Sequence, residues 1–234
     1  MTTISTPSGS LDRSGGDGLQ AVLLDMDGTL VDTENLWWQA EVTLFAELGH
    51  RLTEADRAHV VGGPMSRVLD YLIATTGVTL SAAELTVLIN QRFVDLLAGG
   101  VPLMPGAERL LNTLGAHGIP AALVSASHRA IIDIVLQSLG AQHFAFTVAG
   151  DEVARTKPHP DPYLYAAARF GAEPGRCVVV EDAPTGVLSA EAAGCPVIAV
   201  PSVAPIEPGP GRTVLASLEL LDLDLLHAVV AAHV

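Results

Sequence analysis

Lysine is almost missing from this chain. Of its twelve basic side chains eleven are arginine, and Lys157 is the only lysine. Compositional drift towards arginine explains the scarcity; a retained role explains the exception. Positive charge is scarce altogether: 26 acidic residues give a formal net charge of −14. Such a surface disfavours nucleic acid and anionic lipid as partners. It leaves room for a small anion that is neutralised locally. Aromatic residues make up only 4% of the chain, so aliphatic side chains must fill the core. Cysteine is limited to Cys177 and Cys195, whose spacing matches no metal or redox motif, and both read as small buried hydrophobes. No secretory apolar segment and no membrane-length apolar run is present. A reducing cytoplasm is the expected compartment, with no membrane partner.

What the chain does contain is a folding composition, 49% hydrophobic and 16% charged. Residues 1–18, rich in Ser, Thr, Gly, Pro and Asp, read as a disordered tail. The segment 19–26 is apolar and reaches Asp25, as a buried central strand with a polar carboxyl end would. Gly28 then allows a sharp turn. Helical spacing follows over 34–49 (Trp37, Ala40, Leu44, Leu48), then near 53–60, 65–76 and 81–98, with Ser81 and Glu84 forming a capping box. From 105 onward the rhythm changes. Helices at 105–117, 128–139, 160–171 and 184–193 alternate with strands at 119–124, 144–148, 176–180 and 196–200. The stretch 201–210 reads as a surface loop and 216–233 as a closing helix. This alternation predicts an α/β fold: a Rossmann-like parallel sheet core with an inserted α-helical cap. The expected division is a core of 19–33 and 102–234, and a cap of 34–101.

Ligands of open α/β sheets bind beyond the carboxyl ends of the strands. The polar residues there are Asp25, Asp27 and Thr29; Ser125 and Ser127; Asp151 and Lys157; and Glu181 and Asp182. Each has a plain structural reading. Asp25 and Asp27 could sit in a solvated loop, Ser125 and the Glu181–Asp182 pair could cap the following helices, and Lys157 could be a surface residue. Capping explains less well why all of them fall at strand ends. Clustered carboxylates repel one another unless a cation sits among them, and an oxygen-only donor set suits magnesium better than zinc. A hydroxyl and a lysine beside that metal would hold phosphoryl oxygens. Phosphoryl transfer needs those parts: an in-line nucleophile, charge neutralisation and a proton donor.

These residues carry a resemblance. The segments DMDGTLVDT (25–33), LVSAS (123–127), KPHPDPY (157–163) and VVVEDAPTG (178–186) resemble, in order, the four motifs of the haloacid dehalogenase-like hydrolases. The subgroup they resemble has a helical cap after the first motif. It includes phosphoglycolate-phosphatase-like enzymes, sugar-phosphate phosphatases and β-phosphoglucomutase. The resemblance implies that Asp25 attacks phosphorus and that Asp27 protonates the leaving group and then activates water. It implies that Asp25, Asp182 and the Asp27 carbonyl hold Mg2+ with support from Glu181. Ser125 and the Ala126 backbone would contact the phosphoryl group, Lys157 would bridge it to the nucleophile, and Thr29 would position the first loop. The second aspartate argues for phosphoryl transfer over carbon–halogen chemistry. The implied function is a magnesium-dependent phosphatase acting through an aspartyl phosphate on a small phosphorylated metabolite, a sugar or polyol phosphate. The alternatives are a phosphosugar mutase and a catalytically silent scaffold. Family mutases carry a histidine in the stretch matching ENLWW, where this chain has Trp37, and Asp25, Asp27 and Lys157 are all retained against the scaffold.

In the cap, Gly62, Gly63 and Arg67 resemble a loop whose arginine grips a distal anionic group; a solvated helix arginine is the plainer reading. Trp37 and Trp38 point about 100° apart on a helix, so one is expected to line the pocket while the other packs inside the cap. His128 is a candidate to face the site, and Asp32 either braces the hinge or caps a turn. Oligomeric state is not legible.

Overall fold

The computed structural model describes residues 18–60 and 65–233. The expected tail, apart from Gly18, and the Gly62–Gly63 loop lie outside these residues. Six strands form one sheet in the order β3-β2-β1-β4-β5-β6: β1 (Ala21–Leu24), β2 (Ala121–Val124), β3 (Phe146–Val148), β4 (Cys177–Glu181), β5 (Val197–Ala199) and β6 (Arg212–Val214). All five pairings are parallel. A parallel sheet must be covered on both faces, so its strands read as unbroken apolar runs. Every residue of β1, β2 and β4 is buried. Alternation splits them between two cores. Val22 and Leu24 face one layer with Leu110, Val135 and Val230, while Ala21 and Leu23 face the other with Tyr163, Ala167 and Val187.

Between β1 and β2 run four helices and, among the described residues, no strand: α1 (Glu34–Glu47), α2 (Arg57–Val60), α3 (Met65–Thr76) and α4 (Ala82–Leu97). This is the helical cap. The capping box is present, with Glu84 N–H donating to Ser81 Oγ at 3.3 Å and Ser81 N–H to Glu84 Oε2 at 2.9 Å. Cap and core share one continuous apolar cluster, from Phe45, Leu72 and Phe93 to Leu110 and Leu123. The two linkers between them pair as a short antiparallel ribbon at Val31 and Leu103, with Asp32 N–H on the Pro102 carbonyl and Met104 N–H on that of Leu30, both at 2.9 Å.

The helices α5 (Ala107–Ala116), α6 (Arg129–Leu139), α7 (Asp161–Phe170), α8 (Pro184–Ala192) and α9 (Leu223–His233) complete the layers. Three local differences from expectation have local causes. The helix expected over 53–60 is a single turn at 57–60, because the Asp56 carboxylate accepts the Thr53 N–H at 2.6 Å and holds 53–56 as a turn. The closing helix starts only at Leu223, after a separate 3-10 turn at Leu218–Leu220. Strand β6 is an addition to the expected elements, a short edge strand after the proline-rich loop.

Candidate active site

The strand order reverses at β1: the chain runs outward through β2 and β3, then returns to add β4 on the other side. A crevice opens at such a switch point, beyond the carboxyl ends of the two central strands. Asp25 and Glu181 occupy it, because Leu24 pairs with Val180 and each strand then delivers its next residue to the rim.

The retained lysine is at the centre. Lys157 Nζ donates to Asp25 Oδ1 at 2.6 Å, to Glu181 Oε1 at 2.6 Å and to the Val124 carbonyl at 2.9 Å, with its side chain 5% exposed. All three ammonium protons are used, by groups from β1, β2 and β4. Burial alone would lower the Lys157 pKa, but Asp25 and Glu181 outweigh it and hold it well above its ordinary value. Glu181 is saturated. Its Oε1 also accepts the Tyr163 hydroxyl at 2.8 Å, and its Oε2 accepts the N–H groups of Asp182 and Ala183 at 3.1 and 3.2 Å. A Cβ on Gly186 would overlap this carboxylate, so only glycine lets α8 approach it.

Asp182 accepts Thr29 Oγ1 at 3.3 Å and a short hydrogen bond from Ser202. Oxygens of Asp25, Glu181 and Asp182 all lie within 4.8 Å of one another. One ammonium does not neutralise three buried carboxylates. Burial, then the charge of Glu181, pushes the Asp25 carboxyl well above its usual range despite Lys157. The same two causes raise Asp182 to about 7. This unbalanced, all-oxygen cluster fits a hard divalent cation.

Asp27 faces three hydroxyls: Thr33 at 2.8 Å on Oδ1, and Ser125 at 3.0 Å and Ser127 at 2.8 Å on Oδ2. Thr33 stands at the amino end of α1 but makes no cap to it. Its hydroxyl goes to Asp27 instead, which ties the start of the cap to the core loop. Ala126 lies beside these serines, and a Cβ on Gly150 would strike its carbonyl.

Above Asp182 a cavity of about 620 Å³ opens between the cap and the loops after β4 and β5. Both tryptophans line it. The expected division between them is not seen: both also pack on the apolar cluster, and Trp37 stacks on Phe93 with ring centres 3.7 Å apart. Arg67 is exposed on α3, and His128 is 76% exposed with Nδ1 3.8 Å from Asp151; neither is among the lining residues. Asp32 accepts the Asn35 N–H at 3.4 Å, a turn contact at the hinge.

Sequence reasoning missed Ser202, Glu34 and Glu41. Ser202 lies three residues past β5, a strand end that carries none of the four motifs. Glu41 is four residues after Trp37, on the apolar stripe of α1, and an acid on a buried stripe is a readable signal.

The profile of the haloacid dehalogenase-like hydrolases matches residues 22–200. The chain belongs to this family. It is 31% identical over 211 residues to hexitol phosphatase B of Escherichia coli K12, covering 89% of this chain and 94% of that one. It is 33% identical over 187 residues to the bifunctional riboflavin kinase/FMN phosphatase of Arabidopsis thaliana, covering 78% of this chain but only 48% of that protein, so it spans about half of this relative's length. Among solved structures, a mutant of CbbY from Rhodobacter sphaeroides in complex with xylulose-(1,5)bisphosphate superposes with a TM-score of 0.74 at 27% identity, covering 89% of this chain and 99% of that one. No helix among the described residues is long and apolar enough to cross a membrane.

Proposed function

We propose that the protein is a magnesium-dependent phosphatase that hydrolyses a sugar or polyol phosphate through a phosphoryl group carried on Asp25. The observation that carries this reading is the convergence of Asp25, Glu181 and Asp182 within 4.8 Å of one another, with the single lysine bonded to the first two and Asp182 lining a cavity of metabolite size. Asp25 and Asp182 would hold the metal side by side with the Asp27 carbonyl. Glu181, whose oxygens already accept four hydrogen bonds, acts as the brace that fixes Lys157 and the turn at 182–183. When bound, the cation supplies positive charge to the phosphoryl oxygens.

The rest follows from the chain's own groups. The Asp25 carboxylate is the nucleophile, with one oxygen fixed by Lys157 and the other free to approach phosphorus in line. Asp27, two residues on and oriented by three hydroxyls, delivers a proton to the departing oxygen, then takes one from the water that cleaves the acyl phosphate. Ser125, with the Ala126 N–H, turns to the phosphoryl oxygens when substrate is present. Lys157 balances the charge that develops there.

A phosphatase fits better than a mutase. A mutase must hold a bisphosphate, and among the described residues the cavity lining contains no lysine, arginine or histidine. The test is a panel of phosphorylated metabolites with magnesium, scored by phosphate release. Turnover of hexitol or pentitol monophosphates that stops on chelation is expected. Isomerisation of a hexose phosphate without phosphate release would overturn the reading.

A further inference from the structure

One group in the cavity has no structural reason to be where it is. Glu41 lies on the buried stripe of α1 and is 5% exposed, yet its carboxyl has no hydrogen-bond partner among the described residues and lines the cavity. Its oxygens are not fully enclosed and open onto the cavity, and a carboxyl in so largely buried a setting still costs stability that an apolar residue would not. Glu34 lies nearby, and burial, then the charge of Glu34, raises the Glu41 pKa to about 8. Both acids share the cavity lining with Trp37, Trp38 and Asp182, and Glu34 lies close enough to Asp182 for its charge to raise that carboxyl. Arg57 stands over the Trp38 ring at 5.3 Å but is not a lining residue.

We propose that Glu41 is a specificity-determining residue of the cap: it hydrogen-bonds hydroxyls on the carbon chain of the substrate and disfavours a second phosphate beside it. The substrate class is therefore a monophosphate ester of a neutral, polyhydroxylated chain. A carboxyl suits vicinal hydroxyls, because it accepts from them when ionised and both donates and accepts when protonated. The indole faces cover the carbon-bound side of the same chain. A second phosphate beside Glu41 would meet an acid and, among the described lining residues, no cation, and like charges at close quarters are unfavourable. The solved relative that holds a sugar bisphosphate thus shares the fold while this cavity selects against that ligand class. The inference rests on the phosphatase reading for where the phosphate sits, and not for what happens to it.

The two readings can fail separately, because the chain contains only two tryptophans and both line the cavity. Their fluorescence reports binding without turnover. The Asp25→Asn protein with magnesium is titrated with hexitol 6-phosphate, hexose 1,6-bisphosphate and n-hexyl phosphate, alone and with Glu41→Leu or Glu41→Gln added. Hexitol monophosphate is expected to bind at least about tenfold more tightly than either other ligand. Glu41→Leu should weaken it by roughly tenfold and reverse its order with hexyl phosphate, while Glu41→Gln, which still donates and accepts, stays within about threefold. Equal or tighter binding of the bisphosphate, an unchanged ligand order in Glu41→Leu, or no fluorescence response to hexitol phosphate overturns the proposal. A protein that shows the expected binding order but releases no phosphate would sink the phosphatase reading and leave this one standing.

Discussion

The floor and the roof of this site are built on opposite rules. At the floor, at the carboxyl ends of β1 and β4, nearly every polar atom is paired: Lys157 spends three protons and Glu181 accepts four hydrogen bonds. In the roof, Glu41 is as deeply buried but has no hydrogen-bond partner among the described residues. The contrast teaches where each job resides. A saturated network fixes reacting groups to within tenths of an ångström, as chemistry requires. An unsaturated carboxyl facing a cavity offers itself to a ligand's hydroxyls, and recognition requires that.

Substitution should separate the two regions by sign. Lys157→Met leaves Asp25 and Glu181 buried without their cation, and a loss of about 3–5 kcal/mol in urea unfolding is expected. An unchanged midpoint would mean the floor network does not hold the core. Gly186→Ala forces α8 away from the Glu181 carboxylate, and about 1–3 kcal/mol should be lost with activity falling in parallel. In the roof the effect should reverse. Glu41→Leu removes a largely buried carboxyl that opens only partly onto the cavity and should raise stability by about 1 kcal/mol. If it destabilises instead, Glu41 has a structural duty and the contrast dissolves.

Acidity gives the smallest but most general test. Asp182 and Glu41 are raised to about 7 and about 8, and Asp25 also upward, each first by burial. For such acids the folded state binds more protons than the unfolded chain, whose carboxyls titrate near about 4. Their contribution is therefore full at low pH and is lost as pH rises through the folded values. The melting temperature of metal-free protein should decline from about pH 5 to pH 8. Magnesium should flatten most of that slope by favouring the ionised floor carboxylates, while Glu41→Leu should remove the remainder. A slope that magnesium leaves unaltered would argue against a cation at Asp25 and Asp182.

How much of this could be read in advance follows the same division. The floor was legible because parallel strands announce themselves as apolar runs; the rule that ligands sit past their carboxyl ends points to Asp25, Ser125 and Asp182, composition singles out Lys157, and the four motifs separate these from simple helix caps. The sheet and the cap were legible for the same reason. Strand β6 was not: Arg-Thr-Val is three residues long, half-buried at the sheet edge, and follows a proline-rich loop. The roof was largely illegible. Arg67 and His128 stand out by residue type yet lie outside the cavity lining, while Glu41 is hidden inside an apolar periodicity that reads as cap core. Tyr163 stood inside a recognised motif, but its bond to Glu181 joins positions 18 apart and exists only once α7 packs on the sheet.

The most direct test of the central claim is to catch the phosphoryl group on the protein. The enzyme is mixed with magnesium and a turned-over hexitol phosphate, quenched in acid within a single turnover, and its peptides are weighed. The mass of one phosphoryl group should appear on the peptide carrying Asp25, vanish when magnesium is chelated, and be absent from Asp25→Asn. Steady phosphate release with no such adduct at any quench time, or full turnover by Asp25→Asn, would contradict the account.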